Sequence, residues 1–409
     1  MNRSAGQGST RPPSGFVALI GALIALHACM ACARVAASLA LLQAGRPEWM
    51  VGLLLSLYAV APMALALWSG RLADRHGLHR PMGVAVWMSL AGAGVMVASQ
   101  QLWALALGSL LTGGALSVGA VAIQREAGRM ADDPGQLKRV FSWVALGPAL
   151  SNALSPVVAG LLIDHVGFRA AFAFALAMPL ACWALTLRVP RVPPPAPAAA
   201  AAGGGLQPRS SAFSLLRLPA MRRLLRLNVV LAACWDAHMF AVPVIGHARG
   251  LSASQIGLVL GSFAIAASAV RLGISAFSAR VDERQALRVA MVVATLALGG
   301  YHWLPGSVGM MLGSALLGLA LGAVQPMVLA LLHQVTPPER HGEALGVRML
   351  ATNAATVAMP GGFGLLAGVT TAAAPMWLMA ALLLTSFGTL KRLVLPAPDP
   401  DTGGTHHAR

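Results

Sequence analysis

The sequence predicts an all-α polytopic membrane protein, with twelve transmembrane helices arranged as two pseudo-symmetric six-helix bundles. Three observations predict it. The 409 residues are 57% hydrophobic and 10% charged, with a mean hydropathy of +0.71. A soluble chain of this length has too much polar surface to present to water to tolerate that balance. The apolar runs are long and recur along the whole chain: Leu102 to Gln124 and Val308 to Leu332 contain no charged residue, and Phe16 to Leu42 contains only Arg34. Each reaches the roughly 20 residues of helix needed to cross hydrocarbon. Backbone polar groups in lipid must be satisfied internally, so such runs form helices or a closed barrel. Barrel strands alternate polar and apolar residues, and these runs do not.

The expected spans are 16–42, 50–69, 82–99, 102–124, 140–163 and 168–188, then 224–247, 253–279, 286–304, 307–333, 343–369 and 373–391. The charge pattern orients them. With the first span running from inside to outside, 24 of the 29 Lys and Arg residues fall in cytoplasmic segments. Only Arg46, Arg169 and Arg249 fall outside, while Arg34 and Arg271 lie within spans. By the positive-inside rule both termini are expected in the cytoplasm, in a multi-pass protein of the cell inner (plasma) membrane. The net charge of +16 thus reads as topology and implies no nucleic-acid partner.

The chain divides into a first bundle at 1–189, a linker at 190–223, a second bundle at 224–395 and a tail at 396–409. Pro190 to Pro208 is rich in Pro, Ala and Gly, the composition of an interdomain linker. The Leu215 to Arg226 segment reads either as a surface-lying helix or as the basic flank of span seven. The halves look duplicated. Ala31-Cys32-Ala33-Arg34 corresponds to Ala233-Cys234-Trp235-Asp236, Gly52-Leu53 to Gly257-Leu258, and Ser155-Pro156 to Met359-Pro360, at offsets of 202 to 205. Parallel six-helix repeats are one known transporter plan.

The sharpest motif follows span two: Gly70-Arg71-Leu72-Ala73-Asp74-Arg75-His76-Gly77-Leu78-His79-Arg80. Gly70 is read as allowing close helix approach and Gly77 as permitting a tight turn. Asp74 suits the positive N-terminus of another helix. The segment resembles the first-loop signature of the major facilitator superfamily, G-x-L-x-D-R-x-G-R-[RK]. Gly70, Leu72, Asp74, Arg75 and Gly77 match. Leu78 and His79 stand where the basic pair belongs, with Arg80 one place later. The resemblance implies a twelve-helix transporter with alternating access, in which this loop latches the inner gate. Arg80, Arg125, Glu126 and Arg129 near span four are candidate members of the latch. Span five carries Gly147-Pro148, a partial match to the family's antiporter motif with Ser151-Asn152 where paired glycines belong, and further on Ser155-Pro156. Pro148 and Pro156 also suit a bent cavity wall.

Intramembrane charges default to functional hypotheses. Arg34 lies in span one and Asp236 at the duplicated position in span seven, and the resemblance implies that these spans face one another. His27 shares a helical face with Arg34, whereas His238 points away from Asp236. Two readings stand side by side: Asp236 binds and releases a proton under the influence of Arg34, or the two form a permanent ion pair. Arg271 is expected to snorkel to the surface. Cys29-x-x-Cys32 lacks further ligands and reads as small packing residues.

No phosphate-binding loop, metal-ligand spacing or Gly-x-Ser-x-Gly elbow is present, so an enzyme and a cofactor are not expected. The expected function is proton-coupled export of a small organic molecule such as a drug, metabolite or siderophore-like product. The expected partners are that substrate, protons and the bilayer, with the protein acting as a monomer. Uptake of a small organic anion held by Arg34 is the alternative. A non-transporting receptor would not need Asp74 and Arg75.

Overall fold

A computed structural model describes residues 15–130, 134–191, 212–277, 282–336 and 340–392. The six helices of the first half are α1 (Phe16–Gln43), α2 (Glu48–His76), α3 (His79–Ala98), α4 (Leu102–Arg129), α5 (Pro134–His165) and α6 (Phe168–Thr186). The second half holds α7 (Pro219–Ala248), α8 (Ala253–Phe277), α9 (Glu283–Gly300), α10 (Gly306–Val335), α11 (His341–Val369) and α12 (Ala374–Lys391). Short 3-10 turns at Ala212–Arg217 and Tyr301–Trp303 precede α7 and α10. Twelve helices among the described residues are long and apolar enough to cross a membrane, and no strand occurs among those residues. The linker at Pro190 to Pro208, apart from its first two residues, and residues 278–281 of the second-half loop lie outside the described residues, as do both termini.

Several helices outrun the hydrocarbon-length spans read from hydropathy. α2 continues through the motif to His76, because Arg71 to His76 are all helix-competent and nothing stops the helix before Gly77. α7 starts at Pro219, a residue suited to the first helical turn because its missing N–H would find no intrahelical partner there. The basic segment before span seven is therefore a 3-10 turn followed by the first turns of α7, with Leu215 fully buried.

Packing divides the chain into two units, one of Met1–Ala40 with Leu57–Ala200, the other of Leu41–Ser56 with Ala201–Arg409. Unit 1 is built on α3 against α4 and α6. Its core gathers Leu23, Leu26, Met82, Ala85, Val118 and Ala122. Unit 2 is built on α8 and α9 against α10, with α7 against α11 and α12. α1, α4, α7 and α10 are the most buried spans.

Each unit contains a crossing where main chain meets main chain. A Cβ on Gly113 of α4 would lie 2.3 Å from the Tyr58 carbonyl oxygen of α2. A Cβ on Gly318 of α10 would lie 2.3 Å from the Phe263 carbonyl oxygen of α8. Gly318 follows Gly113 by 205 residues, and Phe263 follows Tyr58 by the same 205. Small residues that let membrane helices meet backbone to backbone set the spacing in both units. Within unit 2, the start of α2 makes a similar approach to α11, where a Cβ on Gly52 would lie 2.2 Å from Pro360 O. Beside it the Gly361 N–H donates to Ser56 Oγ at 3.1 Å.

Candidate functional site

The motif between α2 and α3 builds a turn and one cross-helix ion pair. Gly77 adopts φ +67°, a left-handed conformation that glycine enters without steric cost. Its N–H donates to Ala73 O at 2.9 Å, closing α2 so that α3 starts two residues later. Asp74 then lies beside α4, where Arg125 Nε donates to Asp74 Oδ1 at 2.9 Å. The Asp74 carboxylate is three-quarters exposed and Arg125 one-fifth. One turn along α4, buried Glu126 faces Arg129 at 3.5 Å. Arg75 and Arg80 are exposed, and Leu72 packs on the edge of the unit 1 core. Gly70 differs from expectation. A Cβ there would meet nothing within 4 Å among the described residues, so Gly70 is not a point of close helix approach among them.

In α5, Pro148 and Pro156 both lie inside the helix. Gly147 abuts α1: a Cβ there would lie 3.1 Å from Leu23 Cδ2. Ser151 Oγ donates to Ile24 O at 2.9 Å, so the proline-bearing stretch is tied to α1 at one polar point.

Among the ionisable residues inside the spans, His27 and Arg34 lie on α1 in unit 1, and Asp236 on α7 and Arg271 on α8 in unit 2. Arg34 is half-buried on α1, and Ser38 Oγ donates to its carbonyl. His27, two turns earlier, is buried. Asp236 is half-buried on α7. Arg34 and Asp236 thus belong to different units. All four cysteines are buried free thiols, and Cys32 Sγ contacts Ala171 O of α6 at 3.4 Å, in keeping with a packing role.

Arg271 does not snorkel. Its Nε donates to Gly322 O of α10 at 3.2 Å, and its guanidinium carbon lies 5.6 Å from the centre of the Trp235 ring of α7. A cation over an indole face is attracted by the ring quadrupole, which offsets the loss of water. Arg271 therefore turns toward α7 and α10.

A buried polar chain was not foreseen from the sequence. His238 Nε2 lies 2.9 Å from Ser314 Oγ, and Ser314 Oγ lies 2.6 Å from Tyr301 Oη, which also donates toward Met310 O at 3.3 Å. The carbonyl is acceptor-only, so one consistent sequence of donors runs His238 Nε2–H to Ser314, Ser314 to Tyr301, and Tyr301 to Met310 O. The ring of His238 stacks on Phe263 with centroids 4.2 Å apart, and Trp235 meets the same Phe263 edge-on at 4.5 Å. Asn228 of α7 bridges to α11, donating to Thr352 Oγ1 at 2.7 Å and accepting from Arg348 Nη1 at 3.4 Å. The signals available in sequence were a histidine within an apolar run and one of only two tyrosines in the chain. Neither names a partner tens of residues away. No cluster of three or more metal-ligating side chains occurs among the described residues.

Comparison with known proteins agrees with this arrangement. The sequence profile described as Major Facilitator Superfamily matches residues 19–312 and 227–409. Tetracycline resistance protein, class G, of Vibrio anguillarum is 29% identical over 369 residues, covering 81% of this chain and 84% of that protein. Tetracycline resistance protein, class B, of Escherichia coli is 36% identical over 115 residues, 27% of each chain. The crystal structure of the nucleoside transporter NupG superposes with a TM-score of 0.74 at 15% identity, covering 91% of this chain and 98% of that one. A structure of a bacterial metal transporter gives 0.69 at 15% identity over 94% and 99%. At such identities the structures show the fold alone. Twelve apolar helices, the Gly70 to Gly77 motif turned at Gly77 and tied to α4, and a family profile matching both halves lead to one conclusion: the chain belongs to the Major Facilitator Superfamily and is a membrane transporter, not an enzyme.

Proposed function

We propose that this transporter exports a small organic molecule across the inner membrane in exchange for protons, working as a monomer by alternating access with both termini in the cytoplasm. The observation that carries the reading is its similarity to a tetracycline resistance protein over 84% of that protein's length. Export is the transport direction that confers resistance. In this reading Asp74 and Arg125 form the latch of the α2–α3 turn, and Glu126 with Arg129 buttresses it. Asp236 takes up and releases the coupling proton, because an ionisable group inside a span is retained at a cost that function must justify. Arg34 and His27 supply the polar surroundings in unit 1, and the prolines of α5 let a cavity wall flex. The 1–189 and 224–395 bundles are the two moving bodies, joined by the 190–223 linker.

The test is transport into inside-out vesicles under an imposed pH gradient, starting with tetracycline and extending to dyes, drugs and chelators. Accumulation that collapses with the gradient is expected. Accumulation indifferent to the gradient would remove the proton, and accumulation only in right-side-out vesicles would reverse the direction.

A second reading has its own observation. Arg271 is turned inward over Trp235 instead of outward to the surface, so half-buried guanidiniums within the spans include Arg271 as well as Arg34. That inventory favours an organic anion as substrate, whose uptake the right-side-out vesicles would reveal.

A further inference from the structure

Unit 2 contains a groove of about 1030 Å³ bounded by one face each of α7, α11 and α12. That is the upper end of the roughly 300–1,000 Å³ range of small-molecule pockets. The α7 face presents Arg222, Leu225, Arg226, Val229 and Val230, the i, i+3, i+4, i+7, i+8 stripe of one helix side. The α11 wall is Val347, Leu350, Ala351 and Ala354. The α12 wall is Leu382, Thr385, Ser386 and Thr389. Two of the α12 hydroxyls are already spent, since Thr385 Oγ1 and Ser386 Oγ both donate to Leu382 O, at 2.9 and 2.7 Å. Those two hydroxyls therefore offer no free donor, and most of the residues lining the groove are apolar.

Its charge sits at one end. Arg222 and Arg226 are exposed, one turn apart on the same face, and neither has a salt-bridge partner among the described residues. The neighbouring Arg223 is occupied differently, donating to Arg392 O at 2.6 Å and so joining the start of α7 to the end of α12. The acidic residue in the first turn of α11, Glu343, is taken up by Arg340 at 2.6 Å. The same end of α7 is a helix N-terminus, whose dipole adds to the positive field. The uncompensated field therefore points at an anion, and the apolar walls beyond it ask for hydrocarbon attached to that anion.

We infer that this groove binds one anionic phospholipid of the cytoplasmic leaflet, its phosphate held between Arg222 and Arg226 and an acyl chain laid along α7, α11 and α12. A soluble anion would satisfy the guanidiniums and leave the apolar length empty, while a neutral lipid would fill the walls and leave the charge unanswered. Basic pockets between spans at the cytoplasmic side are physically suited to anionic headgroups. The choice of leaflet rests on the proposed orientation of the termini, whereas the choice of ligand does not.

The experiment is native mass spectrometry of the full chain, extracted in detergent and offered phosphatidylglycerol and phosphatidylethanolamine together. Wild type is expected to retain phosphatidylglycerol preferentially. R222Q/R226Q should lose that preference by roughly ten- to thirtyfold, the worth of two arginine–headgroup contacts. A354W, which fills the apolar wall and leaves both arginines in place, should lose bound lipid of either kind. R217Q, a nearby arginine outside the groove, should behave as wild type. Size-exclusion profiles confirm that each variant is folded. Equal retention of the two lipids by wild type, unchanged preference in R222Q/R226Q, or full lipid occupancy in A354W would each overturn the site. Tag accessibility in spheroplasts reports the orientation separately. External termini would overturn the leaflet and leave the lipid assignment to the mass spectra.

Discussion

Gly318→Ala tests whether the spacing of α8 and α10 is set by main chain. The added Cβ would sit 2.3 Å from Phe263 O, while ordinary contact begins at 3.4 Å, so the two helices must separate by about 1 Å. The obstructing atom is a backbone carbonyl, and no rotamer change relieves it. Overpacking of this kind costs about 1–3 kcal/mol. For a unit of this size that lowers the apparent Tm by about 2–12 °C, at about 2–4 °C per kcal/mol. Gly113→Ala in unit 1 meets Tyr58 O at the same 2.3 Å and should lose as much. Gly70→Ala meets nothing, and in a helix interior it should gain about 0.5–1 kcal/mol from the better helix former. The assay is thermal unfolding of the purified protein in detergent, followed by tryptophan fluorescence or size exclusion. Wild-type stability in Gly318→Ala, or an equal loss in Gly70→Ala, would refute the argument.

Three further outcomes follow from the site. The Asp74–Arg125 pair spans 2.9 Å but leaves the carboxylate three-quarters exposed, so a double-mutant cycle of Asp74→Asn with Arg125→Gln should show coupling of at most about 1 kcal/mol, read from transport rates. Asp236→Asn should abolish pH-gradient-driven transport while expression and thermal stability stay near wild type; transport that survives would take Asp236 out of the coupling step. Ser314→Ala strands His238 Nε2 in the core of unit 2, leaves Tyr301 only its bond to Met310 O, and should cost about 1–3 kcal/mol of stability by thermal unfolding, whereas Ser314→Thr, which keeps a hydroxyl, should cost less if the methyl is accommodated.

The twelve spans were legible because hydrocarbon imposes a length and an apolarity on every crossing, and a one-dimensional pattern carries both. The turn at Gly77 was legible for a related reason: positive φ is a local demand that one residue type meets cheaply. Gly70 shows the limit of that logic, since its neighbourhood is open. Close approach belongs instead to Gly113 and Gly318, whose partners lie 55 residues earlier in the chain. Arg271 was misjudged for the same reason. Its distance from the helix end suggested an escape to the surface, but Trp235 and Gly322 O, on two other helices, hold it. The His238–Ser314–Tyr301 chain joins α7, α10 and the turn between α9 and α10, a meeting that no local periodicity encodes.

Where two helices touch through their peptide groups, the contact has no inventory of side chains from which selection could draw a substitute. The crossings at Gly113 and Gly318 therefore fix a length scale in each half that later mutations cannot tune. The exposed residues of α4 and α10 are free to vary around it, so the protein can acquire new specificities by exchanging wall residues on an unaltered skeleton. In a saturation screen these two positions should favour glycine over every other residue, while exposed Leu319, one residue beyond Gly318, remains permissive.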